Sequence, residues 1–66
     1  MHYQSTNNTL IEREKWLRDI TDLLIERLGI PNGDAQAIVD AHSFELAQEW
    51  GKESSPEVAT ERLTTL

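Results

Sequence analysis

The stretch ERLGIPNGDAQ, residues 26–36, decides how this chain folds. Within it a leucine-rich run stops, Gly29, Pro31 and Gly33 follow in quick succession, and an alanine-rich run begins. Gly29 stands where a left-handed residue would end a helix. Ile30 is the apolar residue that packs back near Ile25, and Pro31 prevents helical continuation. Asn32 is a strong N-cap candidate, and Asp34 puts a negative charge in the next first turn, where it suits the helix dipole. One helix stops and another starts within about four residues. A connection that short makes the two helices antiparallel neighbours, an α-hairpin.

Upstream, the first helix is expected to begin at Thr9, with Glu12 at the capping-box spacing. Leu10, Leu17, Ile20, Leu24 and Leu28 recur at helical spacing, Arg13 fills a gap, and Trp16 and Leu23 widen the stripe. The polar side mixes signs: Glu14 with Arg18, Lys15 with Asp19 and Arg18 with Asp22 are each four apart, which reads as a solvated face. Residues 1–8 are mostly polar, do not alternate as a strand would, and read as a flexible lead-in to a single domain over 9–66.

Downstream, the second helix is expected to run from about Gly33 to Trp50 and to end at Gly51. At 100° per residue it carries two apolar faces. The first holds Ala35, Ile38, Val39, Leu46 and Trp50, with His42 and Ser43 among them. The second holds Ala37, Ala41, Phe44 and Ala47. One face suffices to pack on the first helix, so the second calls for another cover, either a third helix or another chain. That third helix opens at Ser55 and Pro56, a cap followed by proline at the first helical position, with Glu57 in the first turn. Val58, Ala59, Leu63 and Leu66 form its stripe, and a helix this short must dock on something. The fold class expected is all-α: a helical hairpin plus a short third helix, in a dimer or a complex with another protein.

Composition limits the chemistry. A chain of 66 residues buries only about 60% of its unfolded surface, which leaves a lone core marginal. It contains no cysteine, so disulfides, zinc–cysteine sites and thiol catalysis are excluded, and a reducing cytoplasm is compatible. Oligomerisation or a partner remains as the compensation. The formal charge is −6, which disfavours DNA and anionic membrane surfaces and fits a basic protein partner as well as plain solubility. No apolar run approaches the length of a membrane span, and MHYQSTNNT lacks the apolar core of a signal peptide. A cytoplasmic location is the expectation.

Candidate catalytic groups are sparse. His42 lies on an apolar face with no second histidine at i+4, so a half-buried, hydrogen-bonded role is expected, and His2 is incidental. Asp19, Asp22 and Glu26 line one side of the first helix, but a catalytic pair needs a pocket that perturbs proton affinity. The glycines sit at inferred helix boundaries rather than in a phosphate loop, and the serines lack a base. No cofactor, metal, small-molecule substrate or enzymatic activity is expected. SSPEVATERL resembles the first helix of many helix-turn-helix units, but no basic recognition helix follows it here, and a capped closing helix is the simpler reading. Trp16 and Trp50 read as two ends of one core, or one of them as an anchor for a partner.

The charge is unevenly spread: from Asp34 to Trp50 there are four acids and no base. The second helix is thus the most partner-like surface. The leading expectation is a small acidic, non-catalytic interaction module that self-associates or binds and regulates another protein, in the manner of small inhibitors or antitoxin-like regulators. Its contact residues are Ala37, Ala41, Phe44 and Ala47, with Glu45, Gln48 and Glu49 at the rim. The alternative is a small dimeric DNA-binding regulator using Arg13, Lys15 and Arg18, a patch weakened by Glu12, Glu14, Asp19 and Asp22. None of these short signals identifies a family.

Overall fold

The computed structural model describes residues 6–65. They form four helices and no strand: α1 (Thr6–Leu28), α2 (Asn32–Ala41), α3 (Ser43–Gly51) and α4 (Pro56–Thr64). The all-α class and the hairpin hold, but the helix count differs from the sequence expectation because the second helix is divided at His42. α1 also starts earlier than expected, at Thr6, so Thr9 lies inside the helix rather than at its cap. Residues 1–5, most of the proposed lead-in, lie outside the described residues, as do Leu66 and the side chain of Leu10.

α1 ends as the sequence required. Gly29 adopts φ +64°, and its N–H donates to the Ile25 carbonyl at 2.9 Å. Ile30 and Ile25 both pack against the core. The next cap shifts by one residue. Pro31, extended at φ −69° and ψ 162°, takes the N-cap position, and its carbonyl accepts from Ala35 N–H at 3.0 Å. Asn32 is already in the first turn, and no side chain caps α2. Proline lacks an N–H to satisfy and its fixed φ suits the entry, so the cap falls there.

The division at His42 has a local signature. Its N–H is shared between the carbonyls of Ile38 and Val39, at 3.1 and 3.2 Å, and its ring Nδ1 lies 2.9 Å from the Ile38 oxygen. The i→i−4 bond is thus kept but bifurcated, and the ring shares its acceptor. His42 leaves helical geometry at φ −113° and ψ 28°, yet its own carbonyl accepts from Leu46 N–H at 2.9 Å and starts α3.

α2 and α4 both pack on α1. The inward seam of α1 is Trp16, Ile20 and Leu24, which meet Ala35 of α2, Leu46 of α3, and Ala59 and Leu63 of α4 in one cluster. Leu17, Ile38, Val39 and Trp50 close its edges, whereas Leu28, at the end of the stripe, is 46% exposed. Buried hydroxyls are satisfied within their own helices: Thr21 Oγ1 donates to the Leu17 carbonyl at 3.0 Å and Thr60 Oγ1 to that of Pro56 at 2.7 Å. The α4 entry matches the sequence reading, with Val58 N–H donating to Ser55 Oγ at 3.2 Å and Pro56 opening the helix.

α3 passes its expected stop. It includes Gly51, and the left-handed residue that ends it is Glu53, at φ 60°. Glu53 N–H donates to the Trp50 carbonyl and Ser54 N–H to that of Glu49, each at 3.0 Å. These two bonds form a Schellman motif with glutamate where glycine is usual.

Candidate protein-binding face

The two faces of the second helical segment separate as their spacing implies. Ala35 and Leu46 are buried, and Ile38, Val39 and Trp50 are half-buried against α1. Ala37, Ala41, Phe44 and Ala47 are all exposed, and Phe44 is the most exposed large apolar residue described, at 71%. α4 does not cover this side, because it packs on α1 instead. The phenyl ring therefore stands exposed on α3 with Ala47 exposed on the same helix, while Ala37 and Ala41 are exposed on α2 across the break at His42; small side chains let a neighbouring backbone approach closely.

Glu45 and Gln48 are exposed beside Phe44, in keeping with a rim, but Glu49 is not a rim residue. It is buried, at 8% exposure, and points toward α4. Its Oε1 accepts from Ser54 Oγ at 2.6 Å and lies 3.2 Å from Arg62 Nε, while Lys52 Nζ stands 3.9 Å from Oε2. A buried carboxylate is held by partners of this kind, and here they clip α3 to α4. The helical wheel could not foresee this, because it depends on the loop bringing Ser54 back under Glu49.

Beside the exposed face runs a groove of about 240 Å³, lined by Glu45, Gln48, Glu49, Ala59, Arg62 and Leu63 among others. Gln48, one helical turn beyond Phe44, joins the groove to the phenyl face. Ala59 and Leu63 lie buried beneath the groove. The groove was not legible in the periodic pattern, in which Ala59 and Leu63 belong to the apolar stripe of the last helix.

From Asp34 to Trp50 the charged residues are all acidic. Among the described residues no ion pair involves Asp40 or Glu45, whereas Glu49 is matched by Arg62 and Lys52. The alternative basic patch is not assembled in the same way. Lys15 is paired with Asp19 at 3.0 Å. Arg18 lines an open cleft of about 540 Å³ between α1 and α2 that it shares with Glu14, Asp22 and Asp40, and Arg13 is half-buried. The candidate carboxylates Asp19, Asp22 and Glu26 lie along α1, with no cluster of three potential metal ligands among the described residues. His42 bonds its own helix, and His2 lies outside the described residues. No described helix is long and apolar enough to cross a membrane.

The tryptophans meet. The rings of Trp16 and Trp50 lie 5.2 Å apart and tilted by 59°, so the middle of α1 touches the end of α3. Comparison of the chain with family models, curated proteins and solved structures finds no match.

Proposed function

We propose that this chain is a small, acidic, non-catalytic interaction module that works by docking another protein chain, a second copy or a different protein, on the outward side of α2 and α3. The observation that carries this reading is the 71% exposure of Phe44 on α3, with Ala47 of the same helix and Ala37 and Ala41 of α2 also exposed. An aromatic side chain left in water beside small residues is the composition of an interface centre, and aromatic anchors dominate interface energetics. Glu45 and Gln48 form the polar rim. Regulation of the docked protein, as by a small inhibitor or antitoxin-like protein, is the role proposed for it.

The test is sedimentation of the tagged chain recovered gently from its host. The unaltered chain should travel as a complex larger than a monomer. Phe44→Asp should travel as a monomer with the same helix content by circular dichroism. Identical sedimentation of the two would contradict the proposal.

A further inference from the structure

Resting on that reading, we infer that the occupant of the Phe44 face is a basic amphipathic helix of a different protein, with an apolar side chain seated in the adjoining groove between α3 and α4. Charge decides against a second copy. Glu45, immediately after Phe44, is exposed and in no ion pair among the described residues. From Asp34 to Trp50 there is no lysine or arginine, and the chain as a whole carries −6. An isologous two-fold contact sets the same patch against itself, so carboxylates would face carboxylates across a desolvated interface. A helix carrying lysine or arginine beside its apolar stripe meets them with the opposite sign.

Shape points the same way. The groove of about 240 Å³ is lined by Glu45, Gln48, Glu49, Arg62 and Leu63 among others, with Leu63 and Ala59 buried beneath it. It is smaller than the pockets that take drug-sized ligands, and is sized for a side-chain anchor. Arg62, the basic residue on its wall, is engaged by Glu49 at 3.2 Å, which leaves Glu45 as the unmatched charge there. An amphipathic helix laid across Phe44 with one anchor in the groove is the helix-in-groove mode of recognition.

The experiment titrates the full chain with a designed helical peptide bearing leucine along one face and lysine along the other, and with its counterpart carrying glutamate for every lysine. Calorimetry should show binding of the lysine peptide alone, weakening as salt rises toward about 1 M, where charges are screened beyond about 3 Å. Phe44→Asp should lower that affinity roughly thirtyfold, although it adds a negative charge. Val58→Asp, which adds the same charge at another exposed apolar position, should leave it unchanged. Glu45→Gln should weaken it several-fold. Failure of the lysine peptide to bind, equal binding of both peptides, or equal effects of Phe44→Asp and Val58→Asp would overturn the inference. Binding of neither peptide by a chain that sediments as a Phe44-dependent homodimer would overturn the basic partner while leaving the interaction module standing.

Discussion

The indole Nε1 of Trp16 donates to the carbonyl oxygen of Ser54 at 2.8 Å, across a separation of 38 residues. This bond joins the first helix to the loop that launches the last one. Ser54 can receive it because the Schellman bonds hold its peptide: its N–H already donates to the Glu49 carbonyl. The same residue donates its hydroxyl to the Glu49 carboxylate. Trp16, Ser54 and Glu49 thus lock three elements of a chain whose core is small.

Removing the indole donor should be costly out of proportion to the change in volume. Trp16→Phe keeps an aromatic ring in the core but leaves the Ser54 oxygen without this donor. A loss of about 1–3 kcal/mol is expected. Urea unfolding followed by circular dichroism measures it, and an unchanged midpoint would mean the bond contributes nothing.

The left-handed Glu53 offers the opposite sign. A residue with a Cβ at φ 60° carries a backbone penalty of about 1–2 kcal/mol that glycine does not. Glu53→Gly should therefore raise stability by about 1 kcal/mol, even after glycine's greater entropy in the unfolded chain is counted. Gly29→Ala should lower it by a similar amount. No heavy atom lies within 4 Å of a Cβ built there, so the cost is conformational. Thermal midpoints of the two variants should move in opposite directions.

The carboxylate clip can be dissected by a double-mutant cycle. Ser54 Oγ and Glu49 Oε1 are 2.6 Å apart with the carboxylate buried, and a charge-assisted bond in that setting should couple the two residues by about 1–2 kcal/mol. Arg62→Ala should cost under about 1 kcal/mol, because the arginine side chain is 60% exposed and solvent screens its pairing. Coupling near zero between Ser54→Ala and Glu49→Ala would show that the loop is held by its backbone bonds alone.

What the sequence made legible was local. Gly29 and Pro31 announced the hairpin, Ser55 and Pro56 announced the last helix, and period 3.6 separated Ala35, Leu46 and Trp50 from Phe44 and its alanines. The departures lie where a tertiary or side-chain contact overrides the periodic pattern. The division at His42 goes with a bifurcated N–H and a ring contact to the Ile38 carbonyl, which no periodic pattern encodes. Gly51 attracted the helix stop on propensity, yet the chain takes its left-handed turn at Glu53, a residue no glycine rule selects. Glu49 reads as a surface acid on a wheel, and only the return of Ser54 and Arg62 turns it inward.

The claim at the centre of the account is that another protein chain sits on Phe44. Site-specific photocrosslinking tests it most directly, with benzoylphenylalanine at position 44 and, as a control, at exposed position 58, in the native host. The account predicts a covalent adduct with a defined protein from position 44 and none from 58. Equal labelling from both positions, or none from 44, would contradict it.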